Sequence, residues 1–194
     1  VTITWTGETS GGDWLRASGA SWSQVVRFGP AAFEAYARLR FISDPDPERP
    51  GQTESDVELP DLHPSELDQV RLALRVLAPF TYTPHDCWFA VWDGWGDGLE
   101  IPGGLPLLEL PHRRYGLLRG SLDAVDAWQR VSRGEFTTSP AFVWPEDRRW
   151  CLAGDVDPHW AGIGADEAAV RALLAEPRLD VVRADPAERQ PSYC

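Results

Sequence analysis

Apolar positions along the chain recur with two different periods. In Ala37-Arg38-Leu39-Arg40-Phe41 apolar and basic residues alternate, the signature of a half-buried strand. A helical reading through Phe33, Tyr36 and Ala37 competes with it. Leu67, Val70, Leu74 and Leu77 follow helical spacing behind Ser65-Glu66-Leu67-Asp68, a hydroxyl followed three residues later by an acid, so a capped helix is predicted over 65–78, stopped by Pro79. Cys87-Trp88-Phe89-Ala90-Val91-Trp92 is apolar on both faces and predicts a central strand. Leu107–Leu110 and Tyr115–Leu118 flank the turn Pro111-His112-Arg113-Arg114. Phe142–Trp144 and Trp150–Val156 flank Pro145-Glu146-Asp147-Arg148. Helices are predicted behind Ser121, through Leu122, Val125 and Trp128, and from Asp166 to Pro177, with a closing strand over 178–182. Residues 1–24, carrying Trp5, Trp14 and Trp22, show neither period and predict an irregular or short-stranded layer docked on the core. This order argues for an α+β fold, a single domain over 1–194, with a mainly antiparallel sheet and about three packed helices.

Composition sharpens this picture. The 194 residues carry 30 acids against 18 bases, a net charge of -12. All the bases are arginine, which reads as GC-rich coding and excludes Schiff-base lysines and Walker-type phosphate loops. A strongly acidic chain is repelled by nucleic acid and by anionic membrane surfaces. No stretch reaches the ~18 apolar residues of a spanning helix, and the start of the chain has no signal-peptide pattern. Three cysteines with no paired spacing fit a reducing, cytoplasmic setting, and a Cys87–Cys151 bridge requires neighbouring strands. The sequence sets no oligomeric state.

The charge is not spread evenly. Residues 43–64 form an acidic loop rich in proline, and the window from Asp44 to Asp68 holds nine acids against Arg49 alone, about two thirds of the net charge. Such clustering must stay solvated or meet a basic partner. Ten tryptophans are the other anomaly. Trp88, Trp144 and Trp150 sit in apolar runs and read as core. Trp92 and Trp95 border the bend Asp93-Gly94-Trp95-Gly96-Asp97-Gly98, where an indole can line a concave surface.

Candidate chemistry is sparse. Asp155, Asp157 and His159 alternate on an extended stretch and form a weak candidate metal set, broken by Pro158. Asp93, Asp97 and Glu100 depart from a calcium loop in ligand count and length. Cys87 with His85 or His112, and Glu109 with Asp147, lack any surrounding catalytic signature. No cofactor motif is present. The reading therefore favours a non-catalytic cytoplasmic binder of a basic partner protein, with binding residues Trp92, Asp93, Trp95, Asp97, Trp144 and Asp147. The alternative is a small enzyme or ligand-binding domain whose pocket is walled by Trp92, Trp95 and Trp144, with Asp93, Asp147, His112 or Asp155 as polar groups.

Three segments also carry a resemblance. They are Thr83–Gly96, with Cys-Trp-Phe-Ala-Val-Trp-Asp-Gly-Trp-Gly at its centre, Leu110–Gly120, with Pro-His-Arg-Arg-Tyr-Gly, and Phe142–Cys151, with Pro-Glu-Asp-Arg-Arg-Trp, followed by Asp155-Val156-Asp157. Together they resemble a group of uncharacterised actinobacterial proteins over roughly residues 80–184. That resemblance implies no activity and no catalytic residue. In element order alone the chain is similar to the SUKH-type immunity proteins, acidic α+β proteins that neutralise toxins. This likeness implies an inhibitor-like role on the strength of fold analogy.

Overall fold

The strand periodicity organises a computed structural model that describes residues 2–95, 101–130 and 139–194. In chain order the elements are β1 (Ile3–Thr6), α1 (Asp13–Ala17), α2 (Trp22–Phe28), β2 (Ala35–Arg40), α3 (Glu66–Leu77), β3 (Cys87–Trp92), β4 (Leu108–Leu110), β5 (Arg113–Gly120), a 3₁₀ segment (Leu122–Arg130), β6 (Phe142–Pro145), β7 (Cys151–Ala153), β8 (Trp160–Ala165), α4 (Glu167–Leu174) and β9 (Val181–Arg183). Among the described residues the nine strands make one sheet in the order β1-β5-β3-β6-β7-β8-β2-β9, with β4 beside β5, and every pairing is antiparallel. The fold is α+β.

Alternation along β3 shows how the layers form. Cys87, Phe89 and Val91 face a core shared with α3, α4 and the 3₁₀ segment, whereas Trp88 and Ala90 face a second core capped by α1 and α2. Both faces are covered, which is why this run is apolar throughout. Ser65 caps α3 by accepting from the Asp68 amide at 3.2 Å, and its hydroxyl donates to the Asp68 carboxylate at 2.7 Å.

Several expectations change. Among the described residues there are four α-helices and a nine-residue 3₁₀ segment, more than the expected three or so helices. The extra two are α1, inside the stretch over 1–24 expected to be irregular or short-stranded, and α2, which begins at its end; β1 is the short strand of that stretch. Its tryptophans do dock on the core, Trp5 on one face and Trp14 and Trp22 on the other. The strand expected over 150–156 is only β7, and β8 was not predicted. β8 reads Trp-Ala-Gly-Ile-Gly-Ala, too poor in bulky side chains to show a period, yet it is buried throughout. Its glycines are set by close approach. A Cβ on Gly162 would lie 2.0 Å from the Arg27 carbonyl oxygen, and one on Gly164 would lie 2.3 Å from the Phe33 ring. Nor is β2 half-exposed. Arg38 is buried, its guanidinium 5.4 Å from the Trp160 ring centroid. Cys87 and Cys151 are both free and lie on opposite faces of the sheet, so they do not pair.

Candidate functional site

The acidic window has few backbone ladders to hold it, so side chains fix its path. His63 Nε2 lies 2.7 Å from the Phe41 carbonyl, and the Gln69 amide donates to the carbonyls of Phe41 and Pro64 at 3.2 Å each. The Tyr193 hydroxyl donates to Ser43 O at 2.7 Å, and the Cys194 amide to Gln52 O at 3.2 Å.

The first acid of the window, Asp44, is consumed internally. Its carboxylate accepts from Arg38 at 2.6 and 3.0 Å and from Arg40 at 2.9 Å, and lies 3.0 Å from His159 Nε2. Burial works to raise its pKa, but the bonds from Arg38, His159 and Arg40 outweigh burial. They hold the carboxyl well below the usual carboxylate range. The other eight acids, from Asp46 to Asp68, are exposed. Asp68 pairs with Arg71 at 2.9 Å, while Asp46 and Asp56 accept from backbone amides. Among the described residues no salt bridge reaches Glu48, Glu54, Glu58, Asp61 or Glu66. Two large apolar side chains stand in the same stretch, Leu59 at 47% and Leu62 at 95% exposure.

Behind this belt lies a cleft of about 360 Å³. Glu54 and Glu66 come to it from the belt, Trp95 from the glycine bend after β3, Ser139 from the approach to β6, and Asp157 and His159 from the β7–β8 connection. The bend places Trp95 by close packing: the Trp92 ring lies so near Gly94 that a Cβ there would meet it at 2.3 Å. The indoles of Trp92 and Trp95 meet edge to face with centroids 6.0 Å apart. Arg113 stacks on the Trp92 ring at 4.5 Å and forms an ion pair with Asp155. Glu66 is exposed as a residue. The walls of the cleft nonetheless desolvate its carboxyl and raise its pKa, and the nearby charge of Glu54 adds to the shift. The Trp95 Nε1 and the Ser139 hydroxyl, both in cleft residues, are buried without a hydrogen-bond partner among the described residues.

The residues singled out from sequence are partly brought together: Trp95, Asp155, Asp157 and His159 line this cleft, and the other described ones lie elsewhere. Trp92 and Trp95 adjoin, and Asp93 pairs with Arg114 at 2.7 Å. Asp97, with Gly96, Gly98 and Glu100, lies outside the described residues. Trp144 is fully buried on the opposite face from Trp95, stacked 6.2 Å from Trp88. Asp147 is a structural cap, accepting from the Thr81 hydroxyl at 2.8 Å and the Tyr82 amide at 2.7 Å. The candidate metal set lines the same cleft without forming a ligand cluster: Asp155 is held by Arg113, His159 by Asp44, and Asp157 is exposed. Among the described residues no group of three or more His, Cys, Asp or Glu is arranged to hold a metal ion. Burial pushes the Cys87 thiol up to about 12, with nearby carboxylates adding, which is the wrong direction for a nucleophile.

Sequence reasoning missed Glu54, Glu66 and Ser139 as cleft residues, and Leu59 and Leu62 as exposed apolar groups. For the leucines a signal existed. Both stand in a segment with no strand or helix period, so no core face was available to them. Among the described residues no helix is long and apolar enough to cross a membrane. The chain matches no protein-family model, no curated protein and no solved structure.

Proposed function

We propose that this protein binds a basic partner protein without catalysing a reaction, in an inhibitor- or immunity-like role, through the exposed acidic belt between residues 46 and 66. One observation carries the reading: Leu62, almost wholly exposed, projects between Glu58, Asp61 and Glu66, which take part in no salt bridge among the described residues. Carboxylates at that density steer a basic surface into contact, and an exposed leucine among them supplies apolar contact area. The belt is also anchored by His63, Gln69 and Tyr193, so less conformational freedom is lost on docking.

The test is affinity capture at low salt and at 0.5 M salt with three proteins. These are the wild type, Leu62→Ser, and a belt-neutralised variant carrying Glu58→Gln and Asp61→Asn. The expected result is a partner of high isoelectric point held at low salt, released at high salt, and weakened by both variants. A partner held equally by all three proteins, or no partner at low salt, removes the reading.

A further inference from the structure

The cleft behind the belt has a composition that the docking surface alone does not explain. One neighbouring arrangement shows what such residues do when satisfied. Trp92 and Asp155 hold a guanidinium between them, that of Arg113. Next to it, Trp95 faces the cleft with Glu54, Glu66 and Asp157, and among the described residues no arginine lines the cleft or pairs with those three acids. Aromatic faces and carboxylates together attract cations. The cleft also carries the opposite need. Trp95 Nε1 and Ser139 Oγ are buried donors with no acceptor among the described residues, a costly state unless something supplies one. Its volume, about 360 Å³, suits one long side chain and its peptide group.

We propose that this cleft is the anchor pocket for a single arginine or lysine side chain of a peptide segment. Glu54 and Glu66 take the cationic head, and the Trp95 N–H and Ser139 O–H take the adjoining peptide carbonyl. The proposal deepens the docking reading and rests on it, since the belt delivers the segment and the cleft selects the residue. A cation between Glu54 and Glu66 also offsets, by its charge, the desolvation cost and the mutual repulsion that raise the Glu66 pKa.

The probes are Nα-acetyl-arginine N-methylamide, its uncharged citrulline counterpart, and propylguanidinium, which has no carbonyl. Binding is read by calorimetry and by the indole N–H resonance of Trp95, assigned by its loss in Trp95→Phe. The arginine probe binds saturably and moves that resonance, and the citrulline probe binds at least about tenfold more weakly for want of a charge-assisted pair. Glu66→Gln weakens the arginine probe about tenfold, and Glu54→Gln adds to the loss. Trp95→Phe and Ser139→Ala, which keep the packing, weaken it about fivefold while leaving propylguanidinium nearly unchanged. Absence of saturable binding, equal affinity for citrulline, or indifference to Glu54→Gln with Glu66→Gln would overturn the proposal. Propylguanidinium binding as tightly as the amide probe would overturn it too. The belt-neutralised and Leu62→Ser variants separate this from the docking reading. If the cleft is right they keep probe binding while losing partner capture. Intact capture with no probe binding sinks the cleft alone.

Discussion

Asp44 and Glu66 belong to one acidic window of the sequence and live in opposite electrostatic worlds. Asp44 sits against Arg38, Arg40 and His159, and those partners hold its proton affinity down. Glu66 has Glu54 and the desolvating walls of a cleft, and its proton affinity is raised. One acid ties the loop to the sheet; the other is stored charge facing outward. Charge counted along a chain measures how much potential is available, but where the cations stand decides whether it stabilises the fold or awaits a partner.

The largest expected effect comes from removing the satisfied acid. Asp44→Ala leaves the nearly inaccessible Arg38 guanidinium without its partner. Breaking such a pair should cost about 3 kcal/mol, a fall in Tm of roughly 6–12 °C for a chain of this size. Urea denaturation and a thermal scan measure it. A loss under about 0.5 kcal/mol, the range of ordinary surface changes, would show that the network is not structural.

The next test reads the same pair through pH. A carboxyl whose pKa is lowered on folding contributes stability that is complete above the unfolded value of about 3.9 and disappears as pH falls through the folded value. The stability gap between wild type and Asp44→Asn should therefore stay level from neutrality down to about pH 4 and close below it. Glu66 runs the other way. With its pKa raised on folding, it contributes stability on the acid side that is lost as pH rises through the folded value. The gap between wild type and Glu66→Gln should accordingly move against the protein as pH rises, the reverse of the Asp44 series. Parallel pH profiles for the two substitutions would erase the contrast.

The smallest effects belong to the outward-facing residues. Glu54→Gln and Leu62→Ser should each change stability by less than about 0.5 kcal/mol, because neither side chain has an internal partner among the described residues. Their effects should appear in binding alone. A Leu62→Ser variant with a markedly lower Tm would mean that the leucine serves the fold.

Much of the architecture was legible from local pattern. The run Cys87–Trp92 showed a strand buried on both faces, the Ser65 cap located α3, and the proline turns placed β4 to β7. β8 was invisible because its glycines answer to the Arg27 carbonyl and the Phe33 ring, groups that no window of neighbouring residues contains. Arg38 looked like an outward-facing residue because alternation reports polarity, and its burial depends on Asp44 and Trp160 crossing over it. Of the candidate site, the acid-rich loop and the bend at Trp95 were both visible as separate anomalies. Their meeting across one cleft was not, since the belt with Glu54 and Glu66, the bend with Trp95 and the approach to β6 with Ser139 are three separate stretches of the chain.

By itself, then, the amino-acid order determined the periodic elements such as α3, α4, β3 and β5, the acidic character and the density of tryptophan, because periodicity, capping and composition act over a few residues. The tertiary structure alone decided which acids are neutralised, which indoles are walls and which are core, and where a cavity opens. Those properties depend on distances between residues far apart in the chain, and both Coulomb interaction and packing are set by distance in space.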